Sequence, residues 1–299
     1  MSNEPPNRYA ADWNRYSEYW DAHYASRFGH LGDEWHDRDF EDRFFALFVS
    51  RFIDASTTVL EIGPGGGKWT ARYAPLARRV IVLDVSEHML DRTRRRCEEA
   101  GLGNVEYLLG NGRDLGLVGD ASIDFVFSFD VLVHVALEDT WPYAREIARV
   151  MRTGATAVLH HAVNTAPDAW EKIAKENEWY RGGNHTLGQF YYHSGSSLRR
   201  MYERVGLHVA EQYERFEHCV NVVHKPSALV PTLERCLAEV IERDADTAQS
   251  RASIAATLSD LPRQLTEELA PLVARLADAT DAGQRAEIAR AIRRLWRGI

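Results

Sequence analysis

The sequence contains little cysteine and lacks both long apolar runs and the segments of a secretory leader. Its three cysteines, Cys97, Cys219 and Cys236, are too few and too scattered to predict a disulfide framework or a zinc site. No apolar run approaches the roughly 18 residues that a membrane-spanning helix needs. The first residues have no basic stretch followed by an apolar one. These absences predict a cytoplasmic protein with reduced thiols and no membrane association.

An excess of basic residues is also absent. The 299 residues include 36 lysines and arginines against 44 aspartates and glutamates, which gives a net charge of −8. Proteins that bind nucleic acid gain affinity by neutralising phosphates, so this balance argues against such a partner. A neutral or cationic small molecule suits the charge better. Hydrophobic residues make up 45% of the chain, which is enough to build a folded core.

Short apolar runs alternate with amphipathic helical segments between residues 41 and 225. The runs fall at residues 57–63, 79–86, 104–111, 123–130, 156–162, 207–216 and 218–224. Such alternation is typical of a parallel sheet that helices cover on both faces. We therefore predict an α/β fold with a doubly wound, mostly parallel sheet. The last two runs follow each other directly, which predicts an antiparallel strand pair at the C-terminal end of the sheet.

Three regions fall outside that repeat. Residues 1–40 are rich in aromatic side chains at helical spacing, which predicts a helical lid on the main domain at 41–225. Residues 164–193 form a long polar and aromatic insertion after a strand, where we predict a cap over the substrate. Residues 226–299 show apolar residues at helical spacing and predict a helical extension. That extension packs on its own core or on a second subunit, so a homo-oligomer stays open.

The most informative segment is VLEIGPGGGKWT at residues 59–70, a strand followed by a glycine-rich turn and a helix. It does not match the dinucleotide fingerprint G-x-G-x-x-G, because Lys68 stands at the place of the third glycine. It does not match the phosphate-binding P-loop either, because Trp69 stands where a serine or threonine is needed. The pattern that is present is E-x-G-x-G-x-G, formed by Glu61, Gly63, Gly65 and Gly67.

This pattern resembles the first motif of class I S-adenosylmethionine-dependent methyltransferases. Three further matches follow in order: an acid at the end of the second strand, Asp84; a polar residue after the third strand, Asn111; and a signature along the fourth strand. That signature is formed by Asp124, Ser128, Leu132 and His134. The resemblance covers roughly residues 40–225 and implies a Rossmann-like methyltransferase fold with S-adenosylmethionine as cofactor. The stretches LGDEW and HHAVN are similar to bacterial methyltransferases that modify sugars or other natural products.

The resemblance also implies roles for single residues. Glu61 suits the ammonium group of the cofactor, directly or through water, and Asp84 suits both ribose hydroxyls. Val85 or Met89 would flank the adenine, and the Asn111 amide would contact the adenine amine. The residues expected to bind the cofactor are Glu61, Gly63, Gly65, Gly67, Asp84, Val85, Met89, Asn111, Gly112, Arg113 and Phe129.

A hydroxyl acceptor usually needs a general base, which in proteins is most often histidine. The candidates for this catalytic role are His134, His160 and His161. Because side chains alternate along a strand, at most one residue of the pair at 160–161 can face the site. The residues expected to contact the acceptor are Trp35, Asp130, Trp179, His185 and Tyr191. No ligand spacing predicts a metal site.

The leading hypothesis is therefore methyl transfer to a hydroxyl of a small molecule, such as a sugar or a natural product of an antibiotic pathway. Nucleobase amino-methylating enzymes carry an Asn/Asp-Pro-Pro-aromatic motif after the fourth strand, and the sequence here reads SFDV. Methylation of an amino sugar or another amine stays open. Two more distant alternatives are a nicotinamide-dependent oxidoreductase on the same fold and a scaffold without catalytic activity.

Overall fold

The computed structural model describes residues 8–181 and 188–226, together with five pairs of helical residues at 271–272, 274–275, 283–284, 287–288 and 291–292. The chain divides into two compact units, Met1–Val223 and His224–Ile299. The first unit holds the sheet and every predicted site residue that is described. Of the predicted substrate contacts, His185 and the side chain of Trp179 lie outside the described residues.

The first unit is built on an eight-stranded sheet. Its strands are β1 (Thr58–Ile62), β2 (Arg79–Asp84), β3 (Val105–Leu109), β4 (Ile123–Ser128), β5 (Met151–Val163), β6 (Tyr192–His193), β7 (His208–Arg215) and β8 (His218–His224). Their order is β3-β2-β1-β4-β5-β8-β7, and the short β6 pairs with β5. The pairs among β1 to β6 are parallel. Because β7 and β8 are joined by only two residues, they run antiparallel.

Seven α-helices accompany the sheet in the described part of the chain. They are α1 (Arg8–His23), α2 (Arg38–Phe48), α3 (Lys68–Tyr73), α4 (Glu87–Glu99), α5 (Leu137–Val150), α6 (Ala169–Arg181) and α7 (Gly195–Arg204). Single 3₁₀ turns follow α2, α3 and β4, at Ser50–Phe52, Ala74–Leu76 and Leu132–His134. The predicted α/β fold, a doubly wound and mostly parallel sheet with a closing antiparallel pair, is confirmed.

Alternation along the strands divides the core into two layers. Leu60 of β1 faces the layer that holds α5 and α7, whereas its neighbour Val59 faces the layer that holds α2, α3 and α4. β5 follows the same rule, with Leu159 in the first layer and Val158 in the second. This alternation decides where the consecutive histidines at the end of β5 point.

The N-terminal segment lies along the carboxyl ends of the strands. Ser86, the N-cap of α4, donates from its hydroxyl to Asn14 of α1 at 2.6 Å, and Arg92 of α4 donates to the Ser17 hydroxyl at 2.7 Å. The turns that follow α1 bring Leu31 against the buried Met89 of α4. We call residues 8–37 the lid.

Candidate active site

The glycine loop between β1 and α3 is closely packed on two sides and open on a third. A Cβ atom at Gly63 would collide with the side chain of Val131, and one at Gly66 would collide with the carbonyl oxygen of Leu31. Gly65 has a left-handed φ of 57°, and nothing lies within 4 Å of the place its Cβ would take. The loop therefore touches the lid and the segment after β4, while Gly65 borders free space.

Glu61 is buried at the end of β1 and holds the helix that follows the loop. Its carboxylate accepts hydrogen bonds from the hydroxyls of Thr70 and Tyr73 on α3. Burial raises the pKa of Glu61 to about 7, although these two hydrogen bonds act in the opposite direction. These contacts fix α3 against β1; the expected contact of Glu61 with an ammonium group stays a prediction.

Asp84 ends β2 beside the glycine loop. Its carboxylate accepts a hydrogen bond of 2.9 Å from the backbone N–H of Ser86, and its own carbonyl accepts one of 2.7 Å from Gly110. Burial raises the pKa of Asp84 to about 7. A buried carboxylate in this position gains from additional hydroxyl donors. Two residues further on, the Ser86 hydroxyl caps α4 by accepting a hydrogen bond of 3.1 Å from the backbone N–H of Met89. Val85 and Met89 therefore flank the corner formed by Asp84 and the glycine loop.

The polar residues after β3 form a turn at the neighbouring strand end. Asn111 Oδ1 accepts hydrogen bonds from the backbone N–H groups of Arg113, at 2.8 Å, and Asp114, at 3.0 Å. Gly112 is buried with a left-handed φ of 71°, whereas Asn111 and Arg113 are exposed. The pairing of β2 with β3 sets Asp84 opposite Leu109, so this turn borders the Asp84 corner.

The carboxylate of Asp130, two residues after β4, lies between two imidazole rings. Its Oδ2 is 2.9 Å from Nε2 of His36 in the lid, and its Oδ1 is 3.1 Å from Nδ1 of His160. His160 Nε2 is in turn 2.9 Å from Nδ1 of His218 on β8. Burial opposes ionisation of Asp130, but the hydrogen bonds from His160 and His36 outweigh it and hold the pKa of Asp130 well below its usual range.

His160 itself is buried among aromatic rings. Phe129 stacks on its imidazole with ring centroids 4.5 Å apart, and only 2% of the His160 side chain is exposed. Phe129, predicted to bind the cofactor, therefore also lies against the histidine cluster. We call His36, Asp130, His160 and His218 the histidine cluster.

The other two predicted catalytic histidines lie elsewhere. His134 Nδ1 donates to the carbonyl oxygen of Gln189 at 2.9 Å, and burial lowers the pKa of His134 to about 4, so the ring is neutral at pH 7. His161 faces the opposite side of the sheet, where its Nε2 is 2.6 Å from the hydroxyl of Tyr202 on α7. Burial lowers the pKa of His161. The structure thus brings His160 and Asp130 together and leaves His161 outside the cluster.

Trp35 and Tyr191, which were predicted to contact the acceptor, border the same edge. More than half of the Trp35 side chain is exposed, and its carbonyl accepts a hydrogen bond from Lys68 Nζ at 2.5 Å. The backbone N–H of Tyr191 donates to Val133 O at 2.8 Å, which places Tyr191 beside the turn after β4. Trp35 therefore lies beside the start of α3, and Tyr191 lies beside the turn after β4.

Sequence reasoning missed two members of the histidine cluster. His36 follows Trp35 in a charged stretch that gives no local sign of a site, and His218 begins a strand assigned only a structural role. The sequence offered one indirect signal: a strand that lies next to β5 can place its first residue, here His218, beside His160.

In the described part of the chain, no group of three or more acidic, histidine or cysteine side chains has the geometry of a metal site. None of the described helices combines the length and the apolar character needed to cross a bilayer.

Comparisons with known proteins indicate the family of the domain that carries these residues. Residues 59–154 match the family model described as a methyltransferase domain. These residues form a methyltransferase domain. The match covers the glycine loop, Asp84, Asn111, Asp130 and the first residues of β5, and it confirms the resemblance seen in the motifs.

The curated relatives align with only part of this chain. The chain is 29% identical over 138 residues to the ubiquinone biosynthesis O-methyltransferase of Caulobacter vibrioides, which is 44% of this chain and 53% of that protein. It is 32% identical over 103 residues to the biotin biosynthesis bifunctional protein BioHC of Cellvibrio japonicus, which is 34% of this chain and 19% of that protein. The chain thus spans about half or less of these curated relatives.

Solved structures show the same fold at low identity. One is a chain from a complex of the Haloferax volcanii Trm112 methyltransferase activator with a methyltransferase, at 21% identity and a TM-score of 0.51, covering 70% of this chain and 97% of that one. Another is the magnesium protoporphyrin IX methyltransferase of Synechocystis PCC 6803, at 19% identity and a TM-score of 0.50, covering 75% and 90%. These likenesses support the fold.

S-adenosylmethionine is the cofactor of class I methyltransferases, and the residues of the methyltransferase domain fit it. The open space at Gly65 leaves room for a ligand that approaches the backbone closely. The buried carboxyl of Asp84, at the end of the next strand, suits the ribose hydroxyls. Asn111 and Val85 border the same corner from the adjoining strand ends. When bound, the cofactor supplies a methyl group on a positively charged sulfur.

Proposed function

We propose that the protein transfers a methyl group from S-adenosylmethionine to a hydroxyl of a small-molecule acceptor, and that a histidine takes up the hydroxyl proton. The glycine loop and Asp84 hold the cofactor, and the acceptor lies between the lid, the turn after β4 and the insertion at 164–193. Sugars and natural products are the acceptor class that the sequence resemblance favours.

One observation carries this proposal: the cofactor corner, which is formed by the glycine loop and Asp84, shares a border with the histidine cluster. Val131 packs directly on Gly63 of the glycine loop, and the residue before it is Asp130 of the cluster. A methyl group held beside the loop would therefore lie near an ionised carboxylate and its imidazole partners. Alignment of nucleophile, methyl carbon and sulfur accounts for most of the rate in such a displacement.

The second candidate is methylation of an amine. A carboxylate at the acceptor site attracts a cation, and Asp130 is ionised at neutral pH. Its two oxygens already interact with His36 and His160, which favours the hydroxyl acceptor, because a paired carboxylate and imidazole is a common arrangement for proton uptake. The methyltransferase match favours both candidates over the nicotinamide-dependent alternative.

Calorimetric titration with S-adenosylhomocysteine tests the cofactor part. The unaltered protein should bind it, and Asp84→Ala should weaken binding by about 10-fold or more, the equivalent of one hydrogen bond to a charged group. Asp91→Ala is the matched control, since Asp91 is an exposed acid on α4 that pairs only locally with Arg94. Equal binding by both variants, or none by the unaltered protein, would reject the assignment of this corner.

Cytoplasmic location, a small-molecule partner and a homo-oligomer through 226–299 stay predictions alongside this proposal. Acceptor assays with tritiated cofactor on sugars, phenols and amino sugars separate the two candidates. Methylation of amino sugars alone would reject the hydroxyl proposal.

A further inference from the structure

Two ends of the histidine cluster are exposed: His218, whose Nε2 lies 3.5 Å from the Glu217 carboxylate, and His36. More than a quarter of the His36 side chain is exposed, whereas His160 is almost fully buried with both ring nitrogens directed at cluster members. In the described part of the chain, His36 makes its one hydrogen bond through Nε2 to Asp130, and Nδ1 has no hydrogen-bond partner. Its ring is held in place by stacking on Phe40, with centroids 4.5 Å apart, and by the edge of Phe129.

The pairing with Asp130 sets the state of the His36 ring. A carboxylate only accepts hydrogen bonds, so the neutral ring carries its proton on Nε2 and leaves the lone pair on Nδ1. The chain neighbours of His36 and Asp130 both contact the cofactor corner. Lys68, the first residue of α3, donates a hydrogen bond to the carbonyl of Trp35, and Val131 packs on Gly63. The free nitrogen thus belongs to a ring anchored beside the glycine loop.

From this geometry we propose that His36, a residue of the lid, is the proton acceptor in methyl transfer, and that Asp130 and His160 are positioning residues that orient it. The inference rests on the proposed function and names the base that function requires. It replaces His160 and His161 in that role, since the first is enclosed and the second faces the opposite layer of the core.

The step balances in atoms and charge. A lone pair of the acceptor oxygen forms the new bond to the methyl carbon while the carbon–sulfur bond breaks and its electrons stay on sulfur. The hydroxyl proton moves to Nδ1 of His36, and the resulting imidazolium is stabilised by the Asp130 carboxylate. Because the ring is partly exposed, the proton then leaves to water.

The location of His36 couples proton uptake to lid position. The lid also contacts the glycine loop at Leu31, so the segment that borders the cofactor corner is the segment that carries His36 to Asp130.

A set of phenols of graded acidity tests the proposal, with tritiated S-adenosylmethionine as the methyl source. Phenol needs a base, whereas 4-nitrophenol is largely ionised without one in an assay buffer of about pH 8. His36→Gln should slow phenol methylation by about 100-fold or more and leave 4-nitrophenol methylation nearly unchanged. The matched control is His30→Gln, a lid histidine of similar exposure that contacts Glu99 instead of Asp130, and it should change neither rate.

Two further measurements separate the possible failures. Calorimetry with S-adenosylhomocysteine reports the cofactor site alone, so lost binding in the unaltered protein rejects the proposed function, whereas intact binding with equal phenol rates in His36→Gln rejects only this inference. Nitrogen-15 NMR of the histidine rings should show the Nε2–H form at His36 and its loss in Asp130→Asn. An Nδ1–H form at His36, or a phenol defect confined to His134→Gln, would also overturn the proposal.

Discussion

Nε2 of His36 lies 2.9 Å from Oδ2 of Asp130, and both residues have a left-handed backbone, with φ values of 62° and 58°. The two are 94 positions apart, one in the lid and one after β4. A left-handed conformation costs a residue with a side chain about 1–2 kcal/mol. Two such residues in one contact are typical of a site whose geometry serves a function other than stability.

The strain at His36 leads to a first prediction. His36→Gly should remove the cost of the left-handed backbone, so the free energy of unfolding should stay equal or rise by up to about 1 kcal/mol. The pair with Asp130 is about a third exposed, so its loss offsets only part of this gain. Urea unfolding followed by tryptophan fluorescence measures this, and the same variant should lose methyl transfer to phenol.

His30→Gly is the control for that variant. His30 is not among the described residues with positive φ, so glycine there gives no relief of strain and should lower stability by about 0.5–1 kcal/mol. Equal losses of stability in both variants would show that His36 is not strained and would remove this argument for a functional contact.

The buried carboxyl of Asp84 leads to a second prediction, on pH. Burial raises the pKa of Asp84 from 3.8 to about 7 in the folded state. Between these values the folded state binds a proton that the unfolded state does not, so the contribution of this group to stability is largest at low pH and is lost as pH rises through about 7. Asp84→Asn should therefore gain stability relative to the unaltered protein between pH 5.5 and pH 8.

Asp114→Asn provides the comparison for Asp84. The side-chain hydrogen bond from Asn111 lowers the pKa of Asp114, so its charge does not change between pH 5.5 and 8. Urea unfolding at the two pH values should give the same stability difference from the unaltered protein in that control. A constant difference for Asp84→Asn as well would contradict a raised pKa at the cofactor corner.

The third prediction concerns the largely buried Lys68, which joins the lid to α3. Its ammonium contacts the Glu41 carboxylate at 2.7 Å and the Trp35 carbonyl at 2.5 Å. Lys68→Met should lower the free energy of unfolding by about 2–4 kcal/mol, because it leaves a poorly solvated carboxylate with one less partner. It should also increase hydrogen exchange at residues 31–37 of the lid.

Arg43→Met is the matched control for Lys68→Met. Arg43 and its partner Asp39 are both more than two-thirds exposed, and an exposed pair of this kind contributes about 0–1 kcal/mol. If both substitutions changed stability equally and neither affected exchange in the lid, the Lys68 contact would not anchor the lid.

The architecture followed closely from the sequence because its determinants are local. β1, β2 and β4 are short apolar runs with turn residues at their ends, and their predicted positions agree with the structure. β5 is longer than the run predicted at 156–162, because it begins at Met151 and includes Arg152 to Gly154. β5 pairs with β4 at Met151 and again from Thr156 onward, and the register shifts between the two, so residues 152–155 form an irregularity within the strand.

The histidine cluster could be predicted only in part, because its contacts are not local. Asp130 and His160 stood at strand ends, where ligands bind in doubly wound sheets, and both were predicted. His36 and His218 reach the same place from the lid and from the last strand, and no spacing within the sequence joins them. Only the packing of the lid on the sheet brings His36 to Asp130.

The consecutive histidines of β5 lead to a fourth prediction. His161→Phe keeps an aromatic ring of slightly larger size but leaves the buried hydroxyl of Tyr202 without its partner at 2.6 Å, so stability should fall by about 1–3 kcal/mol. Adding Tyr202→Phe should restore most of that loss. The folded variant should methylate phenol at the normal rate, since its ring faces the layer of α7.

A defect in methyl transfer that persists in the folded His161→Phe protein would contradict this placement. Such a result would return His161 to the catalytic set predicted from the sequence. Stability is measured by urea unfolding, and the methyl-transfer rate is normalised to folded protein.

The central claim is that the glycine loop and Asp84 hold a sulfonium nucleoside beside the histidine cluster, and a crystal structure with S-adenosylhomocysteine tests it most directly. We expect ribose hydroxyls within hydrogen-bond distance of the Asp84 carboxylate and the sulfur directed toward Asp130 and His36. A ligand bound elsewhere, or bound in this corner with its sulfur directed away from the cluster, would contradict it.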